Sequence, residues 1–150
     1  MENLQKVNDE ISVAGQPSAD ELREMTGQGF RTVVNLRMPD EPGTDDEERI
    51  VESQGLNYAS IPVSPDTLDD AAVERFIATI ASEGRAPVLV HCKSGGRAGM
   101  MTLLHLAVQH GWSLQQTLDE GQKLGIAPSP TSPYRAFFES FIKRHSPAER

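Results

Sequence analysis

The chain has 150 residues, of which 37% are hydrophobic, and its formal net charge at pH 7 is −8. That length fits a single domain with one core, and the acidic excess argues against nucleic acid as a main partner. No apolar run is long enough to span a membrane, and the polar first residues contain no secretory signal. A lone cysteine forms no internal disulfide, which fits a reducing compartment. We therefore expect one cytoplasmic domain over residues 1–150.

Signals for strands and helices alternate along the chain. Short β-branched and apolar runs indicate strands, and capping residues before apolar stretches indicate helices. The polar first ten residues are expected to form a loose lead-in. We predict, in order, a strand at 11–14, a helix after Ser18 that ends by Gly27 or Gly29, a strand at 30–36, a helix at 44–52, a strand at 56–63, a helix from 67 to near Gly84, a strand at 88–90, a helix at 98–110, a helix at 113–123 and a last helix from Ser132 and Pro133. This order predicts an α/β fold with a mainly parallel sheet of four or five strands flanked by helices.

Four helix starts are predicted from a capping residue followed three positions later by an acidic or amide side chain. These pairs are Ser18 and Glu21, Thr44 and Glu47, Thr67 and Asp70, and Ser113 and Gln116. The acidic run at 44–47 is interpreted as first-turn charge that complements a helix dipole, and not as a metal site.

The C-terminal part begins with a proline-rich stretch, residues 128–133, which is expected to form a rigid connector. The last helix is expected to bury four apolar side chains, and the tail from Ser146 is expected to be frayed. The four are Phe137, Phe138, Phe141 and Ile142.

Residues 87–97 combine a buried strand, a glycine loop and a helix start. The only cysteine, Cys92, stands at the carboxyl end of the predicted strand, where open α/β sheets bind ligands. The following glycines allow backbone N–H groups to turn inward, and the helix adds unpaired N–H groups and a positive dipole end. This field favours a thiolate nucleophile, and Arg97 can add a bidentate fork for phosphate. A buried, structural cysteine is the alternative.

The stretch His91-Cys92-Lys93-Ser94-Gly95-Gly96-Arg97 resembles the active-site loop of the tyrosine and dual-specificity cysteine phosphatases. The wider pattern is similar to a bacterial family of small phosphatase-like proteins related to the N-terminal domain of β-lactamase hydrolase-like proteins. The resemblance covers roughly residues 10 to 126 and implies a cysteine-phosphatase-like fold. Besides the loop, the matching pieces are Gly15-Gln16-Pro17, residues 29–37, Gly55-Leu56-Asn57-Tyr58 and Ile61-Pro62-Val63.

The loop departs from the phosphatase pattern in its length. Four residues separate Cys92 from Arg97, whereas those phosphatases have five. The four-residue spacing is found in the bacterial family and also resembles rhodanese sulfurtransferases. The smaller ring has fewer inward N–H groups with which to hold a tetrahedral anion.

The resemblance implies a role for each residue of the site and implies neither a metal nor a cofactor. Cys92 would attack phosphorus to form a phosphocysteine, and Arg97 and the loop amides would hold the phosphate oxygens. In the resembled phosphatases an aspartate on an upstream loop is the general acid, and Asp66 is the best match. Asp69 and Asp70 are runners-up that first-turn positions in a helix explain adequately. A capping or turn role is the alternative for Asp66. The implied phosphate-binding set is Lys93, Ser94, Gly95, Gly96, Arg97 and Ala98.

Two accessory residues have alternative roles. His91 either favours the thiolate or orients the loop through a backbone contact, or it is a buried and satisfied histidine. Arg37 either reaches the anion or is a surface arginine paired with Asp40 or Glu41.

Three classes of function remain in order of preference. The first is a phosphatase acting on a phosphotyrosine-like group of a phosphoprotein or on a phosphorylated small molecule. The second is a rhodanese-like sulfurtransferase or persulfide carrier, which needs no general acid. The third is a non-catalytic phosphate-binding module. A redox-sensing thiol is compatible with each of them.

Overall fold

The computed structural model describes residues 1–149, and its centre is a five-stranded sheet. The strands lie in the order β1-β2-β5-β3-β4. All neighbours are parallel except β1 and β2, which are antiparallel. The elements are β1 (Gln5–Lys6), β2 (Ile11–Ala14), α1 (Ala19–Arg23), β3 (Thr32–Asn35), α2 (Glu47–Glu52), β4 (Asn57–Ser60), α3 (Asp70–Ala81), β5 (Val88–His91), α4 (Gly96–His110), α5 (Leu114–Leu124), α6 (Arg135–His145) and a 3₁₀ turn at Pro147–Glu149. The predicted α/β fold with a mainly parallel sheet is confirmed.

Helices cover both faces of the sheet because its central strands are apolar on both sides. Val88 and Val90 of β5 pack into the larger core with α3, α4 and α6. Leu89, between them, faces the opposite way into a smaller core with α1 and α2. Because β2, β3, β4 and β5 run parallel, their carboxyl ends meet at one edge of the sheet, where the loops after them form the site.

The expectation of a loose N-terminal lead-in is wrong. Residues 5 and 6 form β1 by pairing with β2, and Gly15 N–H donates to the Glu2 carbonyl at 2.8 Å. Backbone pairing of this kind does not depend on apolar side chains, so the polar composition gave no sign of it.

Two of the four predicted helix caps are confirmed. Both Ser18 and Ser113 form complete capping boxes. The other two predictions are wrong because the threonines bond elsewhere: Thr44 donates to the Pro17 carbonyl, and Thr67 pairs with the hydroxyl of Ser64. Their helices begin later. The residue before α2, Asp46, has left-handed backbone geometry (φ 59°) and provides no side-chain cap, and the residue before α3, Asp69, accepts from the Ala72 N–H at 2.9 Å.

The last helix begins at Arg135, two residues after Pro133. It buries Phe138, Phe141 and Ile142 as expected, whereas Phe137 is only half-buried. Residues 146–149 are ordered, contrary to expectation, because the Ser146 hydroxyl donates to the Trp112 carbonyl at 2.6 Å. The last residue of the predicted frayed tail, Arg150, lies outside the described residues. Within residues 1–149, no helix has both the length and the apolarity needed to cross a membrane.

Candidate active site

The thiol of Cys92 lies at the bottom of the loop that joins β5 to α4, which we call the Cys92–Arg97 loop. Its residue is buried, with 1% of its surface exposed. The Gly95 N–H donates to Sγ at 3.1 Å. Gly95 has a φ of 105°, which only glycine adopts readily, and this conformation permits the inward N–H. A backbone donor directed at sulfur stabilises negative charge there.

Two residues that precede the loop in sequence, Asn3 and Gln16, donate hydrogen bonds to its backbone carbonyls. The carbonyl of Lys93 accepts from the Gln16 N–H at 3.0 Å, and that of Ser94 accepts from Asn3 Nδ2 at 2.7 Å. In a trans peptide the C=O and N–H point in opposite directions. Bonding these two carbonyls outward therefore turns the N–H groups of Ser94 and Gly95 towards the sulfur side.

Gly15 explains why the Gly15-Gln16-Pro17 piece lies beside the site. A Cβ at Gly15 would stand 2.8 Å from the Lys93 carbonyl oxygen and 3.1 Å from Ser94 Cα. Only glycine lets the end of β2 approach the Cys92–Arg97 loop this closely.

The first turn of α4 completes the anion cradle. α4 begins at Gly96 and runs for 15 residues, and the first N–H of the helix with an internal partner is that of Gly99, which donates to the Gly95 carbonyl at 2.9 Å. Within residues 1–149 the N–H groups of Gly96, Arg97 and Ala98 have no partner and can bind an anion at the positive end of the helix dipole.

Arg97 is oriented by three hydrogen bonds. Its Nη1 donates to Glu41 Oε2 at 2.7 Å and to the Val63 carbonyl at 3.0 Å, and its Nη2 donates to Glu41 Oε1 at 2.6 Å. A guanidinium has five N–H donors. The Nε–H and the second Nη2–H lie on one edge, have no partner among residues 1–149, and form a fork that suits a phosphate.

Glu41 is a site residue that sequence reasoning missed. It lies in the loop after β3, at the same sheet edge as Cys92, which is the signal that could have identified it. The hydrogen bonds from Arg97 lower the pKa of Glu41 to about 2 against the effect of its burial, and the Met38 N–H and the charge of Arg37 add to the lowering.

His91 is both buried and engaged beneath the loop. Its Nε2 lies 2.5 Å from Glu47 Oε2, and its Nδ1 lies 3.3 Å from the Cys92 carbonyl oxygen. The structure thus shows the backbone contact to the loop and the satisfied burial that the sequence left as alternatives.

Glu47 lies in the first turn of α2, as predicted, but its carboxylate is buried and engaged with side chains beneath the loop. Gln16 Nε2 donates to its Oε1 at 2.7 Å, and the Tyr58 hydroxyl donates to its Oε2 at 3.2 Å. Burial alone would raise the pKa of Glu47. The hydrogen bonds from His91 and Gln16, with the charges of His91 and Arg37, outweigh burial and leave that pKa lowered.

Arg37 is neither at the surface nor paired with the carboxylate of Asp40 or Glu41. Its side chain is 10% exposed, with Nη2 3.6 Å from Glu47 Oε1, and its Nη1 donates to the Glu41 backbone carbonyl at 3.0 Å. It therefore links Glu41 and Glu47: it fixes the backbone of Glu41 and neutralises the carboxylate of Glu47.

A cavity of about 660 Å³ opens above Cys92. Within residues 1–149 its wall contains no carboxylic acid and one charged side chain, Arg97. Lys93 is exposed and outside this wall, and so is Asp66, which lies in the turn three residues after Val63. The lining residues are Asn3, Gln5, Val13, Cys92, Ser94, Gly95, Gly96, Arg97, Gly99, Met100, Gly125, Ile126, Ala127, Pro128, Ser129, Ser132, Pro133 and Tyr134.

The described part of the chain, residues 1–149, contains no group of three or more His, Cys, Asp or Glu residues placed to hold a metal ion.

The family model for the phosphatase-like domain of beta-lactamase hydrolase-like proteins matches residues 3–118. The chain belongs to this family. The resemblance predicted from the sequence is thereby confirmed. A beta-lactamase hydrolase-like protein of Xylella fastidiosa is 36% identical over 125 residues, which are 81% of this chain. The chain spans only 28% of that protein's length.

Two further proteins are similar to the chain in sequence or in fold. The dual specificity protein phosphatase TpbA of Pseudomonas aeruginosa is 28% identical over 126 residues, which are 83% of this chain and 55% of TpbA. Its crystal structure superposes with a TM-score of 0.72 and covers 92% of this chain and 84% of that one, at 26% identity. A DUF442 protein of Shewanella putrefaciens has a TM-score of 0.78 at 22% identity, with 97% and 95% covered, and shows the shared fold.

Proposed function

We propose that this phosphatase-like domain hydrolyses phosphate monoesters with Cys92 as the nucleophile. The observation that carries the proposal is the Cys92 sulfur, which accepts from the Gly95 N–H at 3.1 Å below an open cavity that Arg97 also lines. The substrate is a phosphotyrosine-like group on a phosphoprotein or a phosphorylated small molecule. We place the domain in the cytoplasm, where the thiol stays reduced.

In the first step the Cys92 thiolate attacks phosphorus, an S–P bond forms, and the ester P–O bond breaks. The leaving oxygen takes a proton from a general acid. Water then attacks the phosphocysteine and gives a proton to the carboxylate that the general acid has become. The S–P bond breaks, inorganic phosphate is released, and the thiolate and the acid are restored. The cradle N–H groups and the free edge of Arg97 bind the phosphoryl oxygens on which charge develops.

We propose Asp66 as the general acid. Both runners-up are engaged: Asp69 caps α3, and Asp70 is paired with Arg144 and His145. The carboxylate of Asp66 forms no hydrogen bond within residues 1–149, and its turn follows Val63, whose carbonyl holds Arg97. The turn of Asp66 therefore starts beside a residue of the cavity wall.

The experiment compares hydrolysis of phenyl phosphate and p-nitrophenyl phosphate by the wild type, Cys92→Ser and Asp66→Asn, with the exposed Asp45→Asn as matched control. We expect Cys92→Ser to abolish both reactions. Asp66→Asn should lower kcat for phenyl phosphate about 100-fold or more. The loss should be smaller for p-nitrophenyl phosphate, since its weakly basic leaving group needs less protonation.

Hydrolysis that survives in Cys92→Ser would contradict the proposal, and so would a wild type without turnover.

The rhodanese-like spacing of Cys92 and Arg97 supports a second candidate, sulfur transfer. A parallel assay of transfer from thiosulfate to cyanide decides between them: Cys92-dependent transfer without phosphate turnover would favour a sulfurtransferase.

A further inference from the structure

Four residues lie between Cys92 and Arg97, one fewer than in the five-residue phosphatase loop. The shorter loop therefore offers a bound phosphate one backbone N–H fewer. A dianionic phosphate binds well only when its oxygens are matched by donors. The structure therefore raises the question of which other group at this cavity can donate a hydrogen bond.

Tyr134 lines the same cavity as Cys92 and Arg97. Its side chain is half-buried, and its hydroxyl forms no hydrogen bond within residues 1–149. The phenol lies close enough to feel the charges of Arg97, Glu41 and Cys92. It is the polar group of a residue that lines the site, and no hydrogen bond within residues 1–149 accounts for it.

The backbone around Tyr134 is fixed. Its N–H donates to Ser132 Oγ at 3.1 Å, and its carbonyl accepts from the Phe138 N–H at 2.9 Å. The next residue, Arg135, donates from Nη1 to the Pro128 carbonyl at 2.9 Å and ties the proline connector to α6. The ring is thus presented from a rigid segment, at low entropic cost.

The hydroxyl remains a donor at neutral pH. Burial raises the pKa of Tyr134, and the negative charges of Glu41 and Cys92 add to this rise, while Arg97 opposes it. The phenol is therefore protonated at neutral pH, where the phosphate is charged.

We propose that the Tyr134 hydroxyl donates a hydrogen bond to a phosphoryl oxygen of the bound substrate and replaces the N–H that the shorter loop lacks. This inference rests on the proposed phosphatase function and adds a binding residue to it. The family match ends at residue 118, so this donor comes from a part of the chain that the match does not include.

The test measures the dissociation constant of inorganic phosphate by calorimetry, and kcat/KM for p-nitrophenyl phosphate, for the wild type and three variants. Tyr134→Phe removes the hydroxyl and keeps the ring, whereas Tyr134→Leu removes both. Thr131→Val removes an exposed hydroxyl of the same connector outside the cavity wall and is the matched control. Thermal melts establish that all four proteins are folded alike.

We expect Tyr134→Phe to weaken phosphate binding about tenfold or more, with a fall in kcat/KM at least as large, and Thr131→Val to match the wild type. Wild-type phosphate affinity in Tyr134→Phe would overturn the proposal, even if only Tyr134→Leu were impaired, because the ring alone would then explain the effect. A wild type that does not bind phosphate would also overturn it. Tyr134-dependent binding without hydrolysis would support this donor and reject the phosphatase function.

Discussion

At the scale of single residues, Arg97 donates part of its hydrogen bonds to Glu41 and Val63 and keeps its other edge for a phosphate. Glu41 and the Val63 carbonyl take three of its donors and fix the plane of the guanidinium. The remaining edge is thereby preorganised for a phosphate, so less side-chain entropy is lost on binding. The ion pair between Glu41 and Arg97 serves orientation and does not occupy the fork that substrate needs.

Glu41→Gln tests this orientation. We expect kcat/KM for p-nitrophenyl phosphate to fall about 10- to 100-fold, because the guanidinium loses a charge-assisted pair of bonds and leaves its productive position. Asp40→Asn is the matched control, since Asp40 is the exposed neighbour. Equal activity of the two variants would show that Arg97 does not depend on Glu41.

Glu41 also gives stability a defined pH dependence. Its folded-state pKa of about 2 is below the usual 4.5, so the ionised carboxylate stabilises the fold above about pH 4.5, and this contribution is lost as the pH falls through about 2. Urea unfolding should therefore show wild type more stable than Glu41→Gln at neutral pH, with a gap that is smaller at about pH 3. A gap that grew on acidification would refute the assignment.

The buried network of His91, Glu47 and Gln16 beneath the loop could not be predicted from the sequence. From the sequence, Glu47 is one of a run of acidic residues at a helix start, and local rules explain such a run by the dipole. Its actual partner, His91, is 44 residues away, and no local pattern connects them. Cys92 and Arg97 were identifiable because their chemistry depends on spacing within one loop.

At the scale of elements, the end of β2 and the Cys92–Arg97 loop form one unit. Parallel pairing of β2 with β5 brings Ala14 beside His91, and the Cys92 N–H donates to the Ala14 carbonyl at 3.3 Å. The next residue, Gly15, then touches the loop itself. The shape of the anion cradle is thus set by a strand that precedes it by some eighty residues in sequence.

Gly15→Ala should disturb the cradle directly. Its Cβ would stand 2.8 Å from the Lys93 carbonyl oxygen, which is backbone and cannot rotate away. We expect a loss of about 1–3 kcal/mol in the free energy of unfolding together with reduced kcat/KM. Gly27→Ala is the control, because its Cβ would meet only the Glu24 carbonyl at 3.5 Å. Full activity in Gly15→Ala would mean that the loop tolerates a shift of the strand.

Element boundaries were predictable where one short segment contains all the interacting groups. The capping boxes at Ser18 and Ser113 are of this kind, and both formed. Thr44 had an equally good local signal, but the Pro17 carbonyl, 27 residues away, takes its hydroxyl. Tertiary competition for a side-chain donor overrides local capping, and the sequence does not show it.

At the scale of the whole molecule, the chain has a net charge of −8 but gathers its anion-binding groups at one sheet edge. Cradle amides, a helix N-terminus and Arg97 act over contact distances, where they outweigh the more distant and screened surface charge. The C-terminal helices support this edge of the sheet by packing on its core. They lie beyond or at the end of the family match at residue 118, yet α6 packs on α4 and its apolar face belongs to the larger core.

The C-terminal helix should therefore be required for the stability of the fold. Phe138 is fully buried against α4 and its neighbours, whereas Phe137 on the same turn is half-buried. We expect Phe138→Ala to lower the free energy of unfolding by about 3–5 kcal/mol, measured by urea denaturation followed by circular dichroism. Phe137→Ala removes the same atoms from a partly hydrated site and should cost clearly less. Equal losses would contradict the assignment of Phe138 to the core that α4 and α6 share.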